Sequence, residues 1–275
     1  MNTTQTMRTC LTILTIVALL SRAQVRAAEP ADKAYTALAE KAIAASLAWH
    51  PLEATNIGLH TYDGKLPDYR KAAITNGIVR LQTCLAELQR LDPSSLTPRN
   101  RYDRLIILAG LQSDLFWLRD VRRYSRDPMG YIPDLAIYIQ QNFALPAERL
   151  KSVIAIENAL PGVFAAAREN LEDTLPRPEL TEAIRNARGA AGFFEKDLVD
   201  AFRDVQDQSL LASFRASTQV AANELRNYAV FLEKQKLPKS DQRFALGRDR
   251  YRRMLAGELV SLTPGALLAI GTREL

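Results

Sequence analysis

The 275-residue sequence is 47% hydrophobic and 24% charged, the composition of a globular protein. A chain of this length can bury a sizeable core without disulfides or a structural metal. Its net charge of +5 includes three arginines before residue 28, and the remaining 33 basic and 31 acidic residues give only +2. This balance argues against a nucleic-acid partner.

Residues 1–27 have the pattern of a secretory signal peptide. Arg8 precedes the apolar run TCLTILTIVALL, and Val25 and Ala27 occupy the −3 and −1 positions of a small-residue cleavage site. The apolar run is shorter than the roughly 20 residues that span a bilayer. We therefore expect export to the periplasm or the extracellular space, and no stable membrane anchor after cleavage.

From residue 28 onwards nearly every segment has helical periodicity. The pattern predicts an all-α fold, a multi-helix array of antiparallel helices in one domain over residues 28–275. The first helix is predicted over 32–50. The second carries an apolar stripe at three- and four-residue steps: Ile74, Ile78, Leu81, Leu85 and Leu88. Cys84 lies in this run, which favours a buried structural thiol over a nucleophile.

Prolines mark the boundaries of the later helices. Thr97-Pro98 and Thr263-Pro264 each provide an N-cap residue followed by proline at the first helical position. Further helices are predicted over about 134–143, 147–160, 162–173, 179–203 and 206–236, with Pro161-Gly162 separating two of them. No stretch has the alternating pattern of a series of strands.

Residues 50–69, HPLEATNIGLHTYDGKLPDY, are the best candidate for a metal site by composition. They contain both histidines and three nearby carboxylates, namely His50, His60, Glu53, Asp63 and Asp68. The histidines are not at the spacing of an H-E-x-x-H zinc motif, which is absent. The alternative is a helix–loop–helix joint, with His50 in the last turn of the first helix and Asp68 capping a helix that begins at Tyr69. We favour the joint.

Two runs of charge are predicted to be solvated helix faces. One consists of Arg119, Arg122, Arg123 and Arg126, and the other of Asp197, Asp200, Asp204 and Asp207. Between the runs, the loop RDPMGYIP at 126–133 either fills a gap between helices, which we favour, or lines a groove for an extended peptide. No nucleophile elbow or phosphate-binding loop occurs. We assign no catalytic, cofactor-binding or metal-binding residue.

The segment PLEATNIGLHTYDGKLPDY resembles the opening of the bacterial proteins grouped as domain-of-unknown-function family 885. Three more stretches resemble the family in the same order. They are PMGYIPDLAIYIQ, ALPGVFAAARENLEDTLPRPELTEAIRNARGAAGFF and FALGRDRYRRMLAGELVSLTPGALLAIGTREL, and the set covers residues 31–275. The resemblance implies an exported, large helical protein similar to zinc-dependent metallopeptidases. Its H-E-x-x-x-x-H-like motif is expected in the later half of a chain about twice this length.

No position of this sequence matches those zinc ligands or the catalytic glutamate. The resemblance therefore implies a truncated chain, the N-terminal half of a metallopeptidase-like fold. Such a half would contribute scaffold and cleft wall without being catalytic itself, and zinc and a peptide substrate would belong to the full-length protein. The alternative is a complete periplasmic helical binding or scaffold protein without enzymatic activity.

Overall fold

The computed structural model describes residues 30–275, and the predicted signal peptide lies outside this range. The described residues form helices joined by turns, without a β-strand; Pro176 and Asp241 make an isolated parallel bridge. The all-α prediction is confirmed.

The helices vary widely in length. The α-helices are α1 (30–47), α2 (Pro51–Asn56), α3 (Lys71–Arg90), α4 (Pro98–Leu115), α5 (Arg123–Arg126), α6 (Ile137–Gln140), α7 (Pro146–Asn170), α8 (Arg177–Phe193), α9 (Val199–Ala201), α10 (Gln208–Phe231), α11 (Arg248–Gly257) and α12 (Pro264–Glu274). Wide π-turns continue α4, α8 and α10 at Phe116–Asp120, Phe194–Leu198 and Leu232–Lys236. Short 3-10 turns lie at His60–Tyr62, Pro93–Ser95, Pro128–Tyr131 and Leu237–Lys239.

The centre of the fold is formed by α7, α8 and α10. α10 packs along both of the other helices. Phe164 of α7 stacks on Tyr228 of α10 with ring centroids 4.6 Å apart, and both side chains are fully buried. By length and composition α7 could also span a membrane, but half of its apolar stretch is buried within the fold. Burial of large apolar side chains is the main stabilising contribution here.

The predicted break at Pro161-Gly162 is wrong, because α7 continues through it from Pro146 to Asn170. Proline inside a helix removes one main-chain hydrogen bond and costs roughly 3 kcal/mol. Pro161 and Gly162 both lie on the exposed side of α7, while Leu160 and Phe164 are fully buried. Packing on both sides of the proline therefore holds the helix continuous.

The predicted boundaries around residues 50–70 are also partly wrong. α1 ends at residue 47, and His50 is the residue that precedes α2, with Pro51 at its first position. α3 begins at Lys71, and Asp68 accepts a hydrogen bond from the N–H of Arg70 at 3.1 Å without capping the helix itself. The steric restriction that proline imposes on His50 ends one helix and starts another.

Both predicted helix starts are confirmed, although the Thr97 side chain makes no capping hydrogen bond. α4 begins at Pro98, and α12 begins at Pro264, where Thr263 Oγ1 accepts a hydrogen bond from the N–H of Ala266 at 3.2 Å. Proline has no N–H to leave unpaired and its φ is already helical, so the pair specifies a helix start locally.

The aspartates at 197, 200, 204 and 207 are all exposed, as predicted, but the prediction that they form one helix face is wrong. The π-turn after α8 shifts the helical register, α9 ends at Ala201, and Asp207 instead caps α10 by accepting from the N–H of Leu210 at 2.9 Å. Leu198 and Phe202 are buried at this bend. Their packing decides the path of the chain, so the four aspartates do not share one helix.

Gly77 permits the close approach of α3 to Trp49, which lies in the turn between α1 and α2. A methyl group at this position would lie 2.1 Å from Cζ2 of the Trp49 ring, which is itself buried. On the same helix Cys84 is 1% exposed, so the prediction of a buried thiol is confirmed.

Candidate functional site

The two histidines bond to different carboxylates. His50 Nε2 lies 2.7 Å from Asp114 Oδ1, whereas His60 Nδ1 lies 3.2 Å from Asp63 Oδ2. Among residues 30–275, no group of three or more His, Cys, Asp or Glu side chains is placed to hold a metal ion. The described residues therefore do not fit the zinc ion that the family resemblance implies.

Asp114 joins α4 to α1 and α2. Its second carboxylate oxygen accepts a hydrogen bond from Ser46 Oγ, and its side chain is 10% exposed. The carboxylate thus lies between the hydroxyl and the imidazole of His50. A catalytic triad needs the imidazole next to the hydroxyl, so this arrangement does not activate Ser46. The contacts instead hold the helix–loop–helix joint to α4.

A pocket of about 460 Å³ lies where the end of α4, α5 and the segment before α11 meet. Its wall combines apolar side chains with three arginines and two carboxylates. The lining residues are Trp117, Val121, Met129, Phe244, Ala245 and Leu246, together with Arg123, Arg126, Arg250, Asp127 and Glu179. This volume is within the range of small-molecule sites, roughly 300–1,000 Å³.

The three arginines differ in their partners. Arg123 Nε lies 3.5 Å from Asp127 Oδ2. Arg126 and Arg250 are half-buried, and within residues 30–275 neither guanidinium makes a salt bridge or a side-chain hydrogen bond. Removing a charged group from water without a partner is unfavourable. The charge of Arg126 acts on Glu179 and Asp241, and that of Arg250 acts on Asp120, without a hydrogen bond in either case. Both guanidinium groups therefore keep donors that an anion could use.

The carboxylates limit how much negative charge the pocket can accept. Partial burial and the nearby charge of Asp127 raise the pKa of Glu179, and the charge of Arg126 acts in the opposite direction. With both carboxylates ionised, three arginines against two acids leave the lining with a net charge of +1. The electrostatics of the site suit a monoanion.

The predicted solvated arginine face is wrong for half of its members. Arg119 pairs with Asp120, and Arg122 pairs with Glu172, but Arg123 and Arg126 line the pocket. Arg122 has a left-handed backbone with φ of 61°, which redirects the chain after the π-turn. The helical periodicity of the sequence does not predict this change in the direction of the chain.

The loop at 126–133 mainly fills a gap between helices. Tyr131 is fully buried, and its hydroxyl donates a hydrogen bond to the main-chain oxygen of Tyr124. Tyr228 donates to the main-chain oxygen of Pro128 at 2.7 Å. The favoured gap-filling interpretation is confirmed, although Met129 extends from the loop into the pocket wall.

Fold and pocket together define an all-α protein with a ligand-sized, arginine-lined cavity. Residues 51–275 match the family described as "Bacterial protein of unknown function (DUF885)", and the chain belongs to this family. Three of the stretches that resemble the family in sequence meet at the pocket, because they supply Met129, Glu179, and Phe244 with Leu246.

The fold is similar to that of a solved structure. It is described as "a putative lipoprotein of unknown function from Shewanella oneidensis", with a TM-score of 0.64 and 24% sequence identity. The match covers 74% of this chain and 37% of that chain, so it extends over well under half of the solved chain's length. Among curated proteins, none matches the chain.

Proposed function

We propose that residues 28–275 form the exported N-terminal helical half of a zinc-metallopeptidase-like protein, in which they supply scaffold and cleft wall. The observation that carries the proposal is the exposure of α12. None of its residues is buried, and Leu268 is 72% exposed. An isolated helix of this length is marginal in water. Exposed apolar surface of this kind is typical of a face that another polypeptide region covers.

In this proposal the described residues are not the catalytic groups. Their two histidines are held by different carboxylates, so zinc and its ligands would come from another region of the protein. Family membership and the partial coverage of the longer solved chain support this division.

The proposal includes export from the cytoplasm. The signal-peptide pattern of residues 1–27 supports it, as does the description of the Shewanella oneidensis protein as a lipoprotein. Amino-terminal sequencing of the mature protein is expected to start at Ala28. A mature protein that retains Met1 would contradict export by this route.

The peptidase assignment is tested by the DNA downstream of codon 275. We expect a continuation, in frame or restored by one frameshift, that encodes an H-E…H motif followed by further helical sequence. A continuation without such a motif would refute the metallopeptidase part of the proposal.

The role of α12 is tested with the dye Nile red. Because the dye is uncharged, the arginines of the pocket do not attract it electrostatically. We expect the chain to enhance the dye's fluorescence, and Leu268→Ser to reduce this enhancement. Val230→Ser is the matched control, because Val230 is also about half exposed but lies on the packed helix α10. An equal reduction by both variants would show that α12 is not a distinct apolar surface.

A complete helical binding or scaffold protein without enzymatic activity is the second candidate. One continuous buried cluster extends from Tyr35 to Leu232, which favours this candidate because such a core can fold cooperatively by itself. A single cooperative thermal transition together with weak Nile red binding would support it over the first. A broad transition and strong dye binding would support the first.

A further inference from the structure

We propose that the arginine-lined pocket binds a monocarboxylate carried on an apolar body, with Arg126 and Arg250 contacting the carboxylate. The pocket lies entirely within the described chain. The inference therefore does not depend on whether the chain belongs to a peptidase.

The two guanidinium groups have donors that no acid of the described chain accepts. Both are half-buried, and neither has a hydrogen-bonded acid among residues 30–275. A guanidinium presents a planar fork of donors that matches the two oxygens of a carboxylate, and such charge-assisted pairs are stronger than neutral hydrogen bonds. An incoming carboxylate would supply the acceptors that the protein does not.

The apolar part of the pocket wall fits the apolar body of the ligand. Trp117, Leu246 and Phe244 line the same cavity, and Phe244 is 62% exposed without a ligand. Covering an aromatic ring with an apolar group removes surface from water and stabilises the complex. An anion without an apolar body, such as acetate, would leave this surface exposed.

The charge of the lining favours a ligand with a single negative charge. Asp127 and Glu179 repel a second negative charge, and three arginines against these two acids leave room for one. A phosphate monoester carries nearly two negative charges at neutral pH and is therefore disfavoured. A neutral amide would leave both guanidinium groups without an acceptor.

A single carboxylate on an apolar body occurs both in free organic acids and at the carboxyl terminus of a peptide. We choose 4-phenylbutyrate to represent the first source and N-acetyl-phenylalanine to represent the second. The neutral control is 4-phenylbutyramide, which has the same apolar body, and the dianionic control is phenyl phosphate. The purified chain is titrated with each probe by isothermal calorimetry.

We expect at least one carboxylate probe to bind about tenfold or more tightly than the amide, with an affinity that falls as salt rises. The tighter of the two carboxylates identifies the source of the ligand. Trp117 provides a second signal, because its fluorescence should change on binding and the change should disappear in Trp117→Phe.

The contribution of the arginines is tested with Arg126→Gln and Arg250→Gln. Each is expected to weaken carboxylate binding about tenfold or more, because each removes a charged donor. Arg252→Gln is the control, since Arg252 lies on the same helix α11 but is exposed and outside the pocket. Circular dichroism melts verify folding, which neither pocket variant should impair because neither guanidinium holds a protein partner.

Three results would overturn the proposal. The first is an amide that binds as tightly as the carboxylates, or a phenyl phosphate that binds more tightly. The second is folded Arg126→Gln and Arg250→Gln proteins that bind as well as Arg252→Gln. The third is no binding of either carboxylate at concentrations up to about 10 mM.

Discussion

Replacing Glu157 with glutamine is expected to stabilise the protein at neutral and alkaline pH. Glu157 is fully buried between α7 and α10. Its carboxylate accepts hydrogen bonds from Ser217 Oγ and, at 2.9 Å, from Thr218 Oγ1. Burial nevertheless raises its pKa from 4.5 to about 7, with the two hydrogen bonds acting in the opposite direction. The folded state therefore favours the protonated acid.

The sign and size of the effect follow from the two pKa values. The folded state binds the proton more tightly than the unfolded state, so the stabilisation is complete below about pH 4.5 and is lost as pH rises to about 7. At about 1.4 kcal/mol per pH unit, the loss over this interval is roughly 3 kcal/mol. For a domain of this size that corresponds to roughly 6–12 °C in Tm.

Glutamine preserves the hydrogen bonds without a charge. Its amide oxygen can accept from Thr218, and its amide nitrogen can donate to Ser217 Oγ, whose single proton can then be donated to the main-chain oxygen of Phe214, 3.0 Å away. At pH 8 the unfolding free energy of Glu157→Gln is expected to exceed that of the parent by about 3 kcal/mol. Near pH 4.5 the difference should largely vanish.

Urea unfolding of both proteins between pH 4.5 and 8 measures this difference directly. Glu169→Gln is the control, because Glu169 is exposed on the same helix and should leave the pH dependence unchanged. Parallel pH profiles for the parent and Glu157→Gln would refute the reasoning, since they would show that the buried acid does not titrate between these values.

Two further substitutions test the packing. Gly77→Ala is expected to destabilise the fold by about 1–3 kcal/mol in urea unfolding, because its methyl group would lie 2.1 Å from the Trp49 ring. Lys236→Met is expected to cost about 2–3 kcal/mol in the same assay, because its buried ammonium donates to two main-chain oxygens just after α7, at 3.1 and 3.0 Å.

Matched control substitutions show whether the loss of stability comes from these particular contacts or from any similar substitution in the same kind of helix. Gly110→Ala also adds a methyl group within a helix, but no atom lies within 4 Å, so it should be neutral or slightly stabilising. Lys234→Met removes an exposed ammonium and should have little effect. If a control variant is as destabilised as the variant it is matched with, the contact removed in that variant does not contribute the stability assigned to it.

Patterns within a few residues of sequence predicted local structure correctly. Thr97-Pro98 and Thr263-Pro264 predict two helix starts correctly, because proline sterics act within one helical turn. Periodicity predicts the burial of Leu81 and Leu88 for a similar reason, since one apolar face must be removed from water. Family membership also follows from ordered local similarity.

The pocket illustrates what the sequence could not provide. Arg126 comes from a short helix after a left-handed residue, and Arg250 comes from α11, far along the chain. Each looks like an ordinary surface arginine when only its neighbours in sequence are considered. Their shared cavity exists because the long helices between them pack in a particular way.

By itself, therefore, the sequence determined the all-α class, several helix starts and the apolar faces, since these depend on sterics and periodicity within a few residues. Only the tertiary structure decided that α7 continues through Pro161, that Glu157 is enclosed, and that two arginines converge on one pocket. The physical reason is common to all three. Burial and charge environment depend on contacts between distant helices, and such contacts can override a local propensity of a few kcal/mol.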